Sequence, residues 1–407
     1  MVGNTDYRSA QGELEVTNEQ SLLKSDDGSK PALSTSPMSR RNFVGAALGT
    51  AAAGGLLAAC GGGGASSGDE ALSAGDLPTV EWDMPTSWPI TSIPWAGAQF
   101  FVDQVSALTG GRFKITPFPS GEVVPGLEVL PNIQTGAIVS GHSSSYYYTG
   151  ADPVLQIATA MPFGMTARQH QSWMLEGGGL ELFRDIYRER FDMVHIPAGN
   201  TGCQMGGWFK KEIKSVSDLS GLRMRIGGMG GEALERLGAT VQVLSGGEIY
   251  QSLETGALDA AEWVGPYDDL EQEFNKVANF YYYPGWWEPG PTQDFMVSAK
   301  AWDDLPEEYQ AALEAAGWYA YNWVLSRYDT LNPPALTQIK EDPDIVLAPF
   351  PDEVLDAAAE EVDDIVAGYS AADETYKTVI DSYYSFRDGV GEWHGLAEKS
   401  LLDYLAR

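Results

Sequence analysis

Apolar and polar positions in the first third of the chain follow two alternating periods. Over 93–108 the apolar residues recur at helical spacing, which predicts an amphipathic helix that Gly110 and Gly111 stop. Alternating residues on either side, over 79–84 and 112–118, predict strands. A helix over 127–135 and a short buried strand over 137–140 follow. The order β-α-β-α-β is typical of an α/β lobe.

A second α/β lobe is predicted beyond the middle of the chain. A strand over 192–197 runs into the glycine-rich segment 198–208, which indicates a crossover between lobes. Strands over 222–226, 240–244 and 260–264 then alternate with helices over 231–237 and 248–255. The segment 253–258 partly repeats 133–138, each with a glycine suited to a helix end, either as a shared unit or by chance.

The last third is predicted to be mostly helical. A long helix starts at about residue 305, with Pro306 in its first turn and acidic residues beside it. Asn332, Pro333 and Pro334 are predicted to end it, after about Tyr328. Helical spacing continues over 351–407, which predicts terminal helices that clamp across both lobes or pack on another subunit.

The N-terminal segment has the order of an export signal. Arg40 and Arg41 precede an uncharged Ala/Gly-rich run over 43–59, which ends in a lipobox at Cys60. The alternative is a transmembrane anchor, but this run is short and weakly apolar for a span. We therefore predict a Tat lipoprotein signal over 1–59, lipidation of Cys60, a flexible tether over 60–77, and an extracytoplasmic, membrane-anchored protein.

Charge and cysteine content exclude several classes of function. The formal net charge of −32 argues against a nucleic-acid partner, which would require basic residues. The acidity suits a high-salt habitat or an ordinary acidic secreted protein equally well. With only Cys60 and Cys203, neither a disulfide framework nor a cysteine-based metal site is expected.

Carboxylates set among aromatic residues form the strongest candidate site. Glu262 and Glu288 lie in aromatic, glycine- and proline-broken segments, which indicates a concave site for a cation or a small polar ligand. With Gln204 they offer hard oxygen ligands that suit Na⁺ or Ca²⁺. Arg225 ends a predicted strand and could grip a carboxylate at two points. The plain alternatives are an ion pair between Glu262 and an arginine, and a surface ion pair for Arg225.

Catalytic motifs are weak in this chain. The four histidines, among them His142 before three serines, show no metalloprotease spacing, and there is no G-x-S-x-G, P-loop or strand-borne G-x-G-x-x-G. His142 is interpreted as a strand end at a lobe edge. We expect no enzyme. A secreted metal-dependent hydrolase or lyase that uses Glu262 or Glu288 as base is the alternative from another class.

Several longer motifs resemble the solute-binding proteins of TRAP transporters, in the subgroup that binds 2-oxo acids or lactate with a metal ion. They are, in chain order, 120–127, 146–148, 200–209, 222–228, 262–269 and 282–288. The resemblance covers about 79–295 strongly and the C-terminal helices loosely. Thr149 and Cys203 depart from the pattern, which leaves the identity of the acid open.

The resemblance implies a fold, a site and a partner. The fold would be α/β, a two-lobed periplasmic-binding-protein-like clamshell with hinge strands and a long connecting helix. Lobe I would span 78–199 with part of 291–330, lobe II 200–290, the connecting helix 305–330 and the C-terminal helical region 335–407. By motif position, the substrate contacts would be Arg225, Asn200, Trp263 and one of Tyr146–Tyr148, with Tyr147 and Tyr148 preferred. Na⁺ or Ca²⁺ would be held by Gln204, Glu262, the Trp263 carbonyl and Glu288.

The resemblance further implies a transport role. The ligand would be a small 2-oxo or 2-hydroxy monocarboxylate such as pyruvate, delivered to the membrane subunits of a TRAP transporter, and a homodimer is a possible assembly because some members swap a C-terminal helix. A ligand sensor would use the same clamshell, and the sequence does not separate it from transport.

Overall fold

The computed structural model describes residues 77–407, so the predicted signal, most of the tether and Cys60 lie outside the described residues. Within this range the strands form three sheets. The strands are β1 Val80–Pro85, β2 Phe113–Phe118, β3 Ser140–Ser143, β4 Met193–Asn200, β5 Trp208–Phe209, β6 Arg223–Arg225, β7 Thr240–Gln242, β8 Ala260–Ala261, β9 Phe280–Tyr283, β10 Thr292–Ser298 and β11 Val346–Pro349.

The helices cover these sheets and fill the last quarter of the chain. They are α1 Ile93–Leu108, α2 Val129–Gln134, α3 Leu155–Thr159, α4 Ala167–Glu176, α5 Gly179–Ile186, α6 Gly228–Arg236, α7 Gly246–Glu254, α8 Pro266–Glu271, α9 Ala299–Asp303, α10 Glu307–Glu341, α11 Asp352–Ala372, α12 Glu374–His394 and α13 Ser400–Leu405. Within the described residues, no helix is long and apolar enough to cross a bilayer.

Early and late parts of the chain meet in the two smaller sheets. β1 and β2 are parallel, joined by α1 as the pattern of apolar residues predicted. β10 lies between β3 and β4 and is antiparallel to both. Every residue of β4 is buried, because helices and neighbouring strands cover it on both faces. This sheet therefore ties the predicted hinge segments to the first lobe.

The six-stranded sheet carries the second lobe. Its strand order is β11-β9-β5-β8-β6-β7. β8 is parallel to β6, with Arg225 opposite Ala261, so the carboxyl ends of these two strands lie side by side. In open α/β sheets, ligands bind outside the carboxyl ends of strands. The residues that follow β6 and β8 are thus placed for a binding site.

The long helix α10 does not end where the sequence predicted. It runs through Pro333 and Pro334 to Glu341, so the predicted end near Tyr328 is wrong. Each proline removes one backbone hydrogen bond, and both prolines are exposed. Beyond them, Ala335 and Ile339 are buried in the core. This apolar packing offsets the loss and holds the last turns in the helix.

The third strand also differs from its prediction. It spans Ser140–Ser143 rather than 137–140, and 137–139 belong to the turn before it. The strand was missed because its residues are polar, yet all four are buried. His142 is the third residue of this edge strand rather than its end, and the indole of Trp88 donates to its Nδ1 at 2.7 Å. The predicted limits of the lobes, 78–199 and 200–290, stay predictions.

Candidate functional site

A small cavity lies near the ends of β3, β4, β8 and β10. Its volume is about 20 Å³, close to the roughly 10–15 Å³ that one water requires. The lining residues are Trp88, Pro94, Ser144, Tyr146, Tyr147, Thr201, Gln204, Trp263, Val264, Glu288, Pro291 and Gln293. They come from both predicted lobes and from the predicted hinge segments.

Arg225 and Glu262 form a fully buried ion pair beside this cavity. Arg225 is the last residue of β6, and Glu262 follows directly after β8, so the parallel pairing of these strands brings them together. Arg225 Nη1 donates to the Glu262 carboxylate and, at 2.7 Å, to its main-chain carbonyl. Arg225 Nε donates to Leu244 O at 3.2 Å. The predicted alternative of a Glu262–arginine pair is therefore confirmed, whereas a surface location for Arg225 is wrong.

Gln204 and Glu288 are joined through their backbones. The Gln204 N–H donates to Glu288 O at 3.2 Å, and the Gly285 N–H donates to Gln204 O at 3.0 Å. Both side chains are almost fully buried, with exposed fractions of 5% for Gln204 and 3% for Glu288. The loop after β9 and the segment after β4 are thus fixed to each other, and both present side-chain oxygens to the cavity.

Polar atoms without a partner are concentrated at this site. Four buried atoms make no hydrogen bond within the described residues: Arg225 Nη2, Glu262 Oε2, Glu288 Oε2 and Gln204 Oε1. Leaving such groups unpaired costs roughly 1–3 kcal/mol each, and more when they are charged. The cluster holds one unused donor and three unused oxygen acceptors. It therefore matches a ligand that carries a carboxylate together with a cation.

Burial dominates the electrostatics of the two carboxyls. It raises the pKa of Glu262 to about 7, although the Arg225 guanidinium acts in the opposite direction. Burial and the nearby charge of Glu262 raise the pKa of Glu288 well above its ordinary value, against Arg225 and a hydrogen bond from Tyr146. One arginine cannot neutralise two buried carboxylates. A bound cation would stabilise both ionised carboxylates.

The donor set fits a hard cation. Within residues 77–407, no three His, Cys, Asp or Glu side chains form a metal-binding group. Two carboxylates and one amide oxygen are instead available from Glu262, Glu288 and Gln204. Ca²⁺ takes about 6–8 oxygen ligands, including carbonyls. A cation here would require further oxygens from the backbone, such as the Trp263 carbonyl, and from the bound ligand.

Trp263 packs against the arginine. The Arg225 guanidinium carbon lies 5.2 Å from the centre of the Trp263 ring, within the range of a cation–π contact. Trp263 lines the cavity and is 4% exposed. The indole therefore holds the orientation of the guanidinium while it forms part of the cavity wall.

Two of the three consecutive tyrosines face the cavity, and the third faces the core. They lie in a 3₁₀ helix, Ser145–Tyr148, whose three residues per turn separate neighbouring side chains. Tyr146 and Tyr147 line the cavity, with ring centres 4.5 Å apart. Tyr148 does not line it, and its hydroxyl lies 2.8 Å from Ser143 Oγ in the core. The preference for Tyr148 over Tyr146 as a contact is not supported by this placement.

Asn200 braces the hinge instead of facing the cavity. Its Nδ2 donates at 2.9 Å to both Gly290 O and the Tyr321 hydroxyl, and its Oδ1 accepts from the Gly202 N–H at 2.8 Å. These bonds join the end of β4, the segment before β10 and the long helix α10. The side chain is adjacent to the cavity residue Thr201, but it does not line the cavity itself.

A group of serine, aspartate and histidine elsewhere in the fold does not have the order of a hydrolase. His195 Nε2 lies 2.8 Å from Asp294 Oδ1, and Ser145 Oγ donates to Asp294 Oδ2 at 2.5 Å. The carboxylate thus stands between the serine and the histidine, whereas nucleophilic catalysis needs the base beside the hydroxyl. All three residues are fully buried. This group ties β4 and β10 to the 3₁₀ helix.

Comparison with known proteins gives the family. The family model for bacterial extracellular solute-binding proteins, family 7, matches residues 85–372. The chain belongs to this family. It is 49% identical, over 81% of its length and 90% of the relative's, to a monocarboxylate 2-oxoacid-binding periplasmic protein of Nostoc sp..

Solved structures of TRAP solute-binding proteins are also similar. One from Bordetella bronchiseptica, a mixed-occupancy dimer with copurified calcium and picolinate in one site, has a TM-score of 0.79 and 40% identity over 81% of this chain and 97% of its own. One from Pseudoalteromonas atlantica, with bound sodium and pyruvate, has a TM-score of 0.77 and 34% identity over 80% of this chain and 99% of its own. The predicted family and the two-lobed α/β fold are confirmed.

Some residues of this solute-binding protein escaped the sequence analysis. Gln293 lines the cavity, but the sequence of its strand does not differ from that of an ordinary buried strand. Asp268 and Asp269 are buried as well. Asp268 accepts from the Ile93 N–H at 3.1 Å and the Tyr328 hydroxyl at 2.6 Å, and so joins α8 to α1 and α10. Two consecutive acids after a proline look like a solvated helix start, so only their aromatic neighbours could have signalled burial.

Proposed function

We propose that this chain is the solute-binding subunit of a TRAP transporter and binds a small 2-oxo or 2-hydroxy monocarboxylate, such as pyruvate, with Na⁺ or Ca²⁺. One observation carries the proposal: within the described residues, Gln204 and Glu288, which line the cavity, and the neighbouring pair Arg225 and Glu262 each hold one buried polar atom without a partner. The ligands of two similar proteins support the ligand class: a 2-oxoacid for the Nostoc protein, and pyruvate with sodium for the Pseudoalteromonas protein.

Each residue has a distinct role in this proposal. The free Nη2 of Arg225 donates to the ligand carboxylate, while its Nη1 stays on Glu262. The side chains of Glu262, Glu288 and Gln204 and the Trp263 carbonyl would hold the cation, which would supply the positive charge that two carboxylates and an anionic ligand require. Tyr147 forms the wall beside Trp263. Asn200 and Tyr148 act indirectly, by holding the hinge and the 3₁₀ helix in place.

The proposed cycle requires the lobes to open. A cavity of about 20 Å³, close to the volume that one water requires, is too small to admit a monocarboxylate without movement of its walls. The hinge is assigned to the ends of β4 and β10, where Thr292 pairs with Asn200, and the lobes are assigned to 78–199 and 200–290. The closed form is the one presented to the membrane subunits.

The proposal includes no catalysis. A buried base could act on a bound acid only if a reacting group and an exit for the product were present. Glu262 is held by Arg225, and the serine–aspartate–histidine group lies buried with its carboxylate in the middle. Pyruvate incubated with the cation-loaded protein is expected to be recovered unchanged, as measured by NMR over several hours. Conversion of the acid would favour the lyase alternative.

A thermal-shift panel tests the ligand class. Pyruvate, lactate, 2-oxobutyrate and succinate are added to chelator-treated protein, with and without Ca²⁺ or Na⁺. Binding to the folded state raises the melting temperature. We expect the 2-oxo monocarboxylates to stabilise the protein only when a cation is present. Stabilisation by succinate alone, or by none of the acids, would contradict the proposal.

Export and anchoring are proposed from the sequence alone. The twin arginines, the apolar run and Cys60 support Tat export and lipidation, on residues outside the described part. Metabolic labelling with a radioactive fatty acid should mark the wild-type protein and leave Cys60→Ser unlabelled. Arg40→Lys combined with Arg41→Lys should block export. Equal labelling of the wild type and Cys60→Ser would contradict lipidation.

A homodimer is proposed from the C-terminal end. Helix α13 has no buried residue, and large apolar side chains around it are more than half exposed: Trp393, Leu396, Leu401, Leu402, Tyr404 and Leu405. Such a patch on one surface is typical of an interface. The Bordetella bronchiseptica protein is described as a dimer, which supports a second copy of this chain as the partner.

A further inference from the structure

Gln293 is a buried amide in the wall of the cavity. It is 2% exposed, and its Oε1 makes no hydrogen bond. It lines the cavity together with Ser144 and Pro291. Gln293 belongs neither to the cation set nor to the pair formed by Arg225 and Glu262. Because an unpaired buried amide oxygen destabilises a protein, this atom needs a partner that residues 77–407 do not supply.

The backbone around Gln293 is shaped to hold this side chain. The register between β10 and β4 shifts at this point, with Gln293 opposite Gly199 and Asp294 opposite Pro197. One residue of β4, Ala198, is therefore an extra residue in the ladder. Bulges of this kind occur next to binding sites, where they redirect a side chain. The bulge separates Gln293 at the cavity from Asp294, which faces the core group of His195 and Ser145.

Gly199 makes room for the amide. A Cβ added to Gly199 would lie 2.1 Å from Gln293 Oε1, closer than any real contact. The backbone of Gly199 is not in the left-handed region, so space rather than conformation explains this glycine. Gly199 therefore leaves the space that the Gln293 amide occupies, and a side chain at this position would displace it.

We infer that Gln293 is a specificity-determining residue that hydrogen-bonds a hydroxyl at C3 of the bound acid. The inference rests on the proposed function, because the carboxylate and the 2-oxo group are then held by Arg225 and the cation. A hydroxyl can donate to the amide oxygen or accept from the amide nitrogen, so it satisfies either end of Gln293. An alkyl group of the same size leaves the amide unpaired.

Two isosteric acids test this assignment. Hydroxypyruvate and 2-oxobutyrate differ by a hydroxyl in place of a methyl at the same position, and pyruvate lacks both. Calorimetric titration of each acid into the full, Ca²⁺-loaded protein gives three affinities. We expect hydroxypyruvate to bind about tenfold or more tightly than 2-oxobutyrate. An equal or reversed preference in the wild type would overturn the inference.

The variant Gln293→Met isolates the amide, since methionine has a similar length and no hydrogen-bonding amide. It should remove most of the preference for hydroxypyruvate and change pyruvate affinity less than threefold. An unchanged ratio, or an equal loss for all three acids, would overturn the inference. Should this variant fail to fold, Gly199→Ala, which displaces the amide, must lower the same ratio. If pyruvate itself does not bind the wild type, the proposed function fails instead.

Discussion

Arg225 and Glu262 satisfy only part of each other's hydrogen-bonding capacity. Arg225 Nη1 is shared between the carboxylate and the carbonyl of Glu262, whereas Arg225 Nη2 and Glu262 Oε2 are buried without a partner. A pair that served stability alone would use both ends, because a buried ion pair offsets its desolvation only when its remaining atoms are bonded. The free ends of this pair indicate a ligand that binds between them.

The first prediction concerns the guanidinium. Arg225→Lys keeps the positive charge beside Glu262 but loses the planar two-point donor. Loss of a charge-assisted hydrogen bond costs about 1.5–3 kcal/mol, so pyruvate affinity should fall about 10- to 100-fold in calorimetric titration. Arg223→Lys is the matched control. It lies in the same strand, is exposed and pairs with Asp259. Equal effects of the two substitutions would contradict the role of Arg225.

The second prediction concerns the cation. Glu262→Gln and Glu288→Gln remove charge while they preserve side-chain size. Burial already raises the pKa of both carboxyls, so the variants should fold in the absence of cation. The Ca²⁺ concentration needed for half-maximal pyruvate binding should rise at least about tenfold in each. Asp269 is buried but does not line the cavity, so Asp269→Asn should leave that concentration unchanged. Unaltered calcium dependence in both glutamine variants would show that the cation binds elsewhere.

The third prediction concerns pH and Asp268. Burial raises the pKa of Asp268 from 3.8 to about 7. Between these two values the folded state binds more protons than the unfolded state, so this group lowers stability as pH rises from about 4 to 7. His142 and His170 act in the opposite sense up to pH 6.5, because burial lowers the pKa of each to about 4. A comparison of variants is therefore needed to isolate Asp268.

Asp268→Asn removes this titration and can keep the bonds to Ile93 and Tyr328. Relative to the wild type, the variant should gain about 2 kcal/mol of unfolding free energy between pH 5 and pH 7.5. Urea unfolding of cation-free protein at both pH values measures it. The same pH dependence in both proteins would mean that Asp268 ionises normally in the fold.

The fourth prediction concerns assembly. Leu402→Glu together with Leu405→Glu places charge on two side chains of α13 that are 63% and 69% exposed. Light scattering after size exclusion should show a dimer for the wild type and a monomer for the double variant. Leu108→Glu, at the end of α1 and 58% exposed, is the control and should remain a dimer. A monomeric wild type would contradict the proposed homodimer.

Local patterns predicted most of the regular elements. The helix over 93–108 was predicted to the residue, because Ser92 caps it and Gly110-Gly111 follow it. The strand β3 and the end of α10 were mispredicted, since buried polar residues in one and packing beyond Pro334 in the other depend on distant neighbours. Residue patterns carry no information about such contacts.

The residues of the candidate site likewise divide into those that the sequence could reveal and those that depend on distant contacts. Arg225, Glu262, Gln204 and Glu288 could be selected because charged and amide side chains stood out among aromatic and glycine-rich segments. Tyr148 was preferred over Tyr146 because three equal tyrosines give no direction without the 3₁₀ geometry. Gln293 could not be selected, since its distinction is the missing partner and the bulge opposite Gly199.

Calorimetric titration of pyruvate into chelator-treated protein, repeated with Ca²⁺ and with Na⁺, tests the central claim most directly. The account predicts micromolar or tighter binding with one cation, loss of at least about 100-fold in affinity without it, and a Ca²⁺ requirement at least about tenfold higher in Glu288→Gln. Equally tight binding of pyruvate to the cation-free protein, or none in any condition, would contradict the claim that the cation joins Glu262 and Glu288 to the ligand.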